Sequence, residues 1–439
     1  MARGDLADKH IAELHALAAG AGVPRYRLLR REELVEQLAE RGVDGAGEPE
    51  PATPEPGEEP VAEGAAEREA VAQEAPREGE EQKRREHPDG PTEPVRGVLD
   101  ILPQRYGFLR LSGLETAPDD VYISASQIRR CELRTGDEVV GPAREPRRGE
   151  RYRALVHVDS VNGSDPTEED GRPEFDDLTP VAPSRRIRFD PDPDDLLTRA
   201  VDLLVPLALG QRVLIHSAPR SGRTTLLRGL AGAIRAAGED QPLIVLLVDE
   251  RPEEATRWRE ALPGAEVAAA TADMDLKDQG RVADMALARA KRRAESGDDV
   301  ILIVDSLSRL AVAKRGPAAA KTLFGAGREL AEQGAGSLTV IATALEDAGE
   351  DAAVLTAVLT TENAVVRLDP ELAAIGVYPA LRPAETRASD EEGLREPGEL
   401  EAVRRLREAL AGLEPRHAAE ALRERLEAAP TNRDLLAGA

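Results

Sequence analysis

Residues 217–227 read SAPRSGRTTLL, between the apolar run RVLIH and an amphipathic stretch. A strand, a tight glycine-bearing turn and a helix in that order make a phosphate cradle, because backbone N–H groups of the turn and of the first helical turn converge on the anion. The residues placed to do this are Pro219, Arg220, Ser221, Gly222, Arg223, Thr224 and Thr225, with the Thr224 hydroxyl available to Mg²⁺. Two residue types depart from the usual signature: Ser217 stands for its first glycine and Arg223 for its lysine. Arginine keeps the charge but is longer and forked, so it cannot sit as a compact point charge between terminal phosphates. Taken by itself the run also fits an ordinary strand-to-helix turn.

Two further apolar runs end in acids. LLVDERPEE puts Asp249, Glu250 and Arg251 at the end of one expected strand, and LIVDSLSRL puts Asp305 at the end of another. Ligands of open α/β sheets gather at such carboxyl ends, where Asp305 can hold Mg²⁺ with Thr224, and Glu250 can polarise an attacking water. Glu250, Arg251 and Asp305 are thus the catalytic candidates, and ATP with Mg²⁺ the expected ligands. A lone acid after a strand is commonly a helix cap. Here three elements arrive in the order that an ATPase core needs.

A second chemistry lies upstream. The chain has only ten aromatic residues, yet Tyr106, Phe108, Tyr122 and Tyr152 fall in one short segment with Arg144, Arg147, Arg148, Arg151 and Arg153. The net charge of -25 excludes a chain coated in positive surface for nucleic acid. From Gly97 to Ser160, however, 10 acids balance 10 bases. Rings interleaved with arginines suit single-stranded nucleic acid; the competing reading is a small β-domain that fills its core with aromatics.

The elements that must position these groups follow from periodicity. Residues 5–42 alternate at helical spacing, broken by AGAGVP, which predicts a small helical module over 1–44. His10 and His15, five apart, point to different sides of such a helix and make no ligand pair. Residues 45–94 are expected as a disordered acidic linker, with 14 acids against 5 bases between Gly45 and Gly90. Short alternating segments over 95–161 predict a five-stranded β-barrel of the oligonucleotide-binding, OB or cold-shock, type. A polar connector over 162–177 leads to near-continuous apolar strands alternating with helices, which predict a RecA-like α/β P-loop core with C-terminal helices over 178–439. Cys131, the single cysteine, excludes an intrachain disulfide or a cysteine-based zinc site and suits a reducing cytoplasm. No run has the apolar length of a membrane span.

Together the stretches GVLDILPQRYGFLRL, DDVYISASQIRR, LRTGDEVVG, LTPVAPSRRI, LVDERPEE, DSLSRLA and FGAGRELAEQGAGSLTVIATAL resemble the bacterial transcription termination factor Rho family. The resemblance covers nearly the whole chain. It implies a homohexameric ring that binds single-stranded RNA on its barrels, threads it through a pore and uses ATP to pull the transcript from RNA polymerase. Carried over, it implies RNA contacts by Tyr106, Phe108 and Arg110, by Asp120 and Tyr122, and by Glu150, Arg151 and Tyr152. The motor half departs from the family pattern at four places. Arg223 replaces the loop lysine, and Gly376 stands where an arginine reaches the neighbour's γ-phosphate. KRGPAAAKT is a shortened pore loop, and TTEN, with Glu362, replaces a second one. Arg315 or Lys321 could compensate in the pore, and Arg382 or Arg387 for the missing arginine. Three readings remain open: a divergent RNA-binding ring with impaired translocation; a non-motor RNA-binding hexamer or a subunit mixed into a standard ring; and an unrelated RecA-like ATPase with a barrel attached.

Overall fold

A computed structural model describes residues 91–166, 172–187, 191–237, 241–346 and 350–438, with Ala21, Val35 and Leu38. The helical module expected over 1–44, with His10 and His15, and the acidic linker up to residue 90 lie outside the described residues, those three positions excepted.

The alternating segments form β1 (Thr92–Ile101), β2 (Gly107–Arg110), β3 (Val121–Ile123), β4 (Glu138–Arg144), β5 (Arg153–Leu155) and β6 (Ser160–Val161). Strand β1 begins within the stretch expected as linker. Its ten residues let it pair antiparallel with two strands, the first part with β4 and the last with β2. β2 pairs with β3, β3 runs parallel to β5, and β5 returns to β4, closing a five-stranded barrel to which β6 is added. Leu99, Leu109, Val121, Ile123 and Val139 fill its interior, and Cys131 is buried with them. The short helix α1 (Ala125–Arg130) starts at a capping box of Ser124 and Gln127. Gln127 Nε2 then donates to the carbonyls of Leu155 and Val156 at 3.0 and 3.1 Å, pinning the helix to the barrel.

The connector is anchored at its end. Phe175 is fully buried in the core, and its N–H donates to Glu295 at 2.7 Å.

Beyond it come β7 (Pro180–Val181), α2 (Leu196–Leu204), β8 (Arg212–Ser217), α3 (Arg223–Ala236), β9 (Leu243–Glu250), α4 (Pro252–Ala261), β10 (Glu266–Thr271), α5 (Leu276–Glu295) and β11 (Asp299–Asp305). They are followed by α6 (Leu307–Ala313), α7 (Pro317–Gly325), β12 (Arg328–Leu330), β13 (Ser337–Leu345), α8 (Glu350–Val358), β14 (Ala364–Arg367), α9 (Pro370–Ala374) and β15 (Arg387–Ala388). The sheet runs β10-β9-β11-β13-β8-β14-β15, parallel except for β15, with β12 and β7 branching from β13. The unbroken apolar runs are explained by two covered faces. Ile244, Leu246 and Val248 of β9 and Val300, Leu302 and Val304 of β11 enter one core. Leu243, Val245, Leu247, Ile301 and Ile303 enter the other. Helices α10 (Glu391–Leu394), α11 (Pro397–Leu410), α12 (Pro415–Ala428) and α13 (Asn432–Ala437) complete the second face, where Leu406, Leu410, Leu422 and Leu426 are buried.

Barrel and core meet along α5 through charge. Arg281 reaches Asp100 of β1 at 2.6 Å. Arg289 joins Glu138 of β4 at 3.0 Å to Glu266 of β10 at 3.1 Å. Arg134 lies 3.6 Å from Glu295. Between these pairs Gly136, at φ 91°, presses on the α5 backbone so closely that a Cβ there would lie 2.5 Å from the carbonyl carbon of Ala288.

Candidate functional site

The phosphate loop leaves the end of β8 and turns into α3 at Gly222, whose φ of 95° is one that glycine adopts without strain. No side chain caps this helix and no acid lies in its first turn, so its leading N–H groups remain for an anion. Ser221 tightens the loop by donating to the Ala218 carbonyl at 2.7 Å. Pro219, Arg220 and Thr225 are exposed, and Arg220 sits at the tip with φ 65°.

The acids come from two strands, β9 and β11, and β13 lies between β11 and the loop strand β8. Asp305 is fully buried. Thr224 Oγ1 donates to its Oδ2 and Thr343 Oγ1 to its Oδ1, both at 2.9 Å. Arg223 spans the two acids: Nε is 3.2 Å from Asp305 Oδ1, and Nη2 is 3.2 Å from Glu250 Oε1. Burial first, and then the charge of Asp305, push the Glu250 carboxyl above its ordinary value, while Arg223 pulls it back. The sequence-derived residues Arg223, Thr224, Glu250 and Asp305 are therefore brought together. Arg251 is exposed at the start of α4 and makes no side-chain bond among the described residues. Asp249 turns instead to Arg309, at 3.6 Å. Thr343 was missed, although a threonine inside the apolar run SLTVIATAL is a legible signal of a polar duty. Such a set, with a turn of free N–H groups, a hydroxyl on a buried carboxylate and a half-buried glutamate, fits a nucleotide, while Arg223 stands between the two acids that would otherwise hold a metal.

The other positions singled out in the motor half are spread around it. Gly376 lies in an exposed turn at φ 76°, with open space around its Cα. Arg382 is engaged, 2.7 Å from Asp369 and 3.1 Å from Glu385. Arg387 is exposed on β15. Arg315 and Lys321 are exposed at α7 and just before it, and Glu362 is half-buried ahead of β14, its Oε2 without a hydrogen-bond partner.

On the barrel, β2, β3 and the turn before β5 assemble four rings. Tyr106 and Phe108 have centroids 6.0 Å apart, Phe108 and Tyr122 6.1 Å, Tyr106 and Tyr122 5.6 Å, and Phe108 and Tyr152 4.8 Å. Arg151 is exposed and stacks 5.2 Å from the Tyr152 centroid. Phe108, Tyr122 and Tyr152 are partly exposed, whereas Tyr106 is 8% exposed and supports them. Arg110 and Asp120, expected at the RNA surface, are instead buried beside the rings, where Arg110 pairs with both Asp100 and Asp120. A guanidinium this deep is held by its two carboxylates and stays beside the platform, 5.7 Å from the Phe108 ring centroid. Desolvation raises the Asp120 carboxyl pKa against the opposing pull of Arg110. Glu150 braces the turn through Arg144 at 2.7 Å and the Arg147 N–H at 3.0 Å.

Comparison with known proteins agrees with this arrangement. The family model described as Rho termination factor, RNA-binding domain, matches residues 95–167, and that described as Rho termination factor, N-terminal domain, matches 5–47. A model described as ATP synthase alpha/beta family, nucleotide-binding domain, matches 198–322. Transcription termination factor Rho of Mycobacterium leprae (strain TN) is 39% identical over 373 residues, covering 79% of this chain and 60% of that protein. The Streptomyces lividans protein of the same name is 40% identical over 365 residues, covering 78% and 51%. That of Aquifex aeolicus (strain VF5) is 39% identical over 366 residues, covering 78% and 84%. The chain thus spans between half and two thirds of the length of the first two relatives. With a closed barrel, a P-loop core and this identity over most of its length, the chain belongs to the transcription termination factor Rho family.

Proposed function

We propose that this chain binds single-stranded RNA on the ring platform of its barrel and ATP at the loop between β8 and α3, within a hexameric ring whose translocation is impaired. The observation that carries the proposal is Arg223, tied at 3.2 Å to each of the two acids that should serve the metal and the water. A ring face with partly exposed edges and an arginine stacked beside it has the chemistry of base stacking. The loop keeps what ground-state binding needs, a turn of free N–H groups and positive charge. Phosphoryl transfer asks for more, because charges must already stand around the developing transition state. In this chain the loop charge is committed elsewhere.

A second reading, a regulatory subunit of a ring with standard members that hydrolyses little ATP itself, is favoured by Gly376. In the family an arginine at that turn reaches the adjacent subunit. Here the turn carries no side chain, and the nearby Arg382 is held by Asp369 and Glu385. The nascent transcript and RNA polymerase are the partners either reading implies. Among the described residues no helix is long and apolar enough to cross a membrane.

The deciding experiment is RNA-stimulated ATP hydrolysis by the full chain, by itself and mixed with a standard family member. We expect slow turnover by the chain itself, on the order of 10³-fold below the standard protein, the scale on which a missing arginine acts. Turnover equal to the standard protein overturns the impaired-motor reading. An unchanged rate in the mixture removes the regulatory-subunit reading.

A further inference from the structure

Two carboxylates and one guanidinium occupy the space between the ends of β9 and β11. Arg223 and Glu250 are each 17% exposed and Asp305 is not exposed at all, so the three charges meet largely out of water. There an ion pair with hydrogen bonds is strong, and either partner left unpaired is costly. The arrangement depends on arginine. Its planar fork addresses Asp305 through Nε and Glu250 through Nη2 at once, from two separate donor atoms, whereas a lysine offers its donors from a single point on a flexible stem. Asp305 also accepts from the hydroxyls of Thr224 and Thr343, so both of its oxygens already have partners inside the protein. A divalent cation drawn to these acids has to displace a guanidinium that has no other carboxylate partner among the described residues, and would then face it as a like charge. The groups left to hold phosphate, the uncapped start of α3 and the exposed Arg220, do not depend on the acids.

We propose that Arg223 is the resident counter-cation of the Glu250–Asp305 pair, so that this chain binds a nucleoside diphosphate or triphosphate without requiring a divalent metal. The inference rests on reading the loop as a nucleotide site and adds that the metal's neutralising role is already filled by a side chain. It also accounts for a substitution that keeps the charge of the loop lysine and changes its shape. A fork is what the two acids select.

The test is titration calorimetry of the full chain with ADP, once in excess Mg²⁺ and once in EDTA, for the parent and for Arg223→Lys. The parent is expected to change affinity less than about threefold on removal of the metal, and Arg223→Lys to lose about tenfold or more. Loss of about tenfold or more by the parent overturns the inference while leaving the loop a nucleotide site. Absence of ADP binding by the parent under both conditions overturns both. The metal by itself gives a second readout that needs no nucleotide. Millimolar Mg²⁺ is expected to leave the thermal midpoint of the parent unchanged and to raise that of Arg223→Ala, whose acids lack their cation. A Mg²⁺-induced rise in the parent counts against the proposal.

Discussion

Phe108 is the central ring of the platform, within 4.8 Å of Tyr152 and about equally far from Tyr106 and Tyr122, at 6.0 and 6.1 Å. A ring that is only partly covered by its neighbours has a face or edge to offer a base, and base–aromatic stacking contributes about 1–3 kcal/mol per base. We therefore expect Phe108→Ala to weaken binding of a short single-stranded RNA by about 1–3 kcal/mol, measured by fluorescence anisotropy, with ADP affinity unchanged. A folded variant with parental RNA affinity would assign the ring to packing. Arg110 makes the opposite point. In the string YGFLR it reads as a surface contact, yet its guanidinium is buried between Asp100 and Asp120 beside the Phe108 ring. Alternation along β2 predicts which side of the strand a residue takes. It does not reveal that a buried carboxylate awaits it there.

At the scale of elements, α5 is the beam to which both halves are fastened. Arg289 of α5 is 5% exposed and ties Glu138 of the barrel to Glu266 of the core. Removing a buried partner weakens the compensation of its acids, although Glu266 keeps Arg293 at 2.9 Å and Glu138 keeps Arg96 at 3.5 Å, and both acids, 28% and 25% exposed, retain some solvation. The expected cost of Arg289→Ala is about 2 kcal/mol, below the usual range for a fully buried pair because water and the remaining arginines screen the two acids. Urea unfolding monitored by circular dichroism measures it, and a change within about 0.5 kcal/mol would mean that the pair merely sits on the surface. The strands behind the two sites were legible, because LIVLLVDE and DVILIVDS are local patterns with acids at their ends. The fastening was not. Arg281 and Asp100 lie 181 positions apart, and Arg289 and Glu138 lie 151 apart, and opposite charges at such distances leave no periodic trace.

For the whole molecule, the same contrast separates what the chain spells from what it assembles. The phosphate loop, its two acids and the four rings are each short strings whose residue types name their chemistry. Arg223 held across both acids is a product of β9, β11 and α3 converging, and no string contains it. Gly136 is another such product, since its φ of 91° and its approach to Ala288 matter only once the barrel is docked. A methyl group there meets backbone at 2.5 Å, which cannot yield as a flexible side chain would. The parent is expected to melt in one calorimetric transition and Gly136→Ala in two, with RNA and ADP each still bound; one transition at the parental temperature in the variant would show that the seam can absorb the methyl group. The bare glycine keys the barrel to α5 as a tooth is keyed to a gear, without backlash. Barrel and α5 meet there backbone to backbone, and a single added carbon would have to push the two apart.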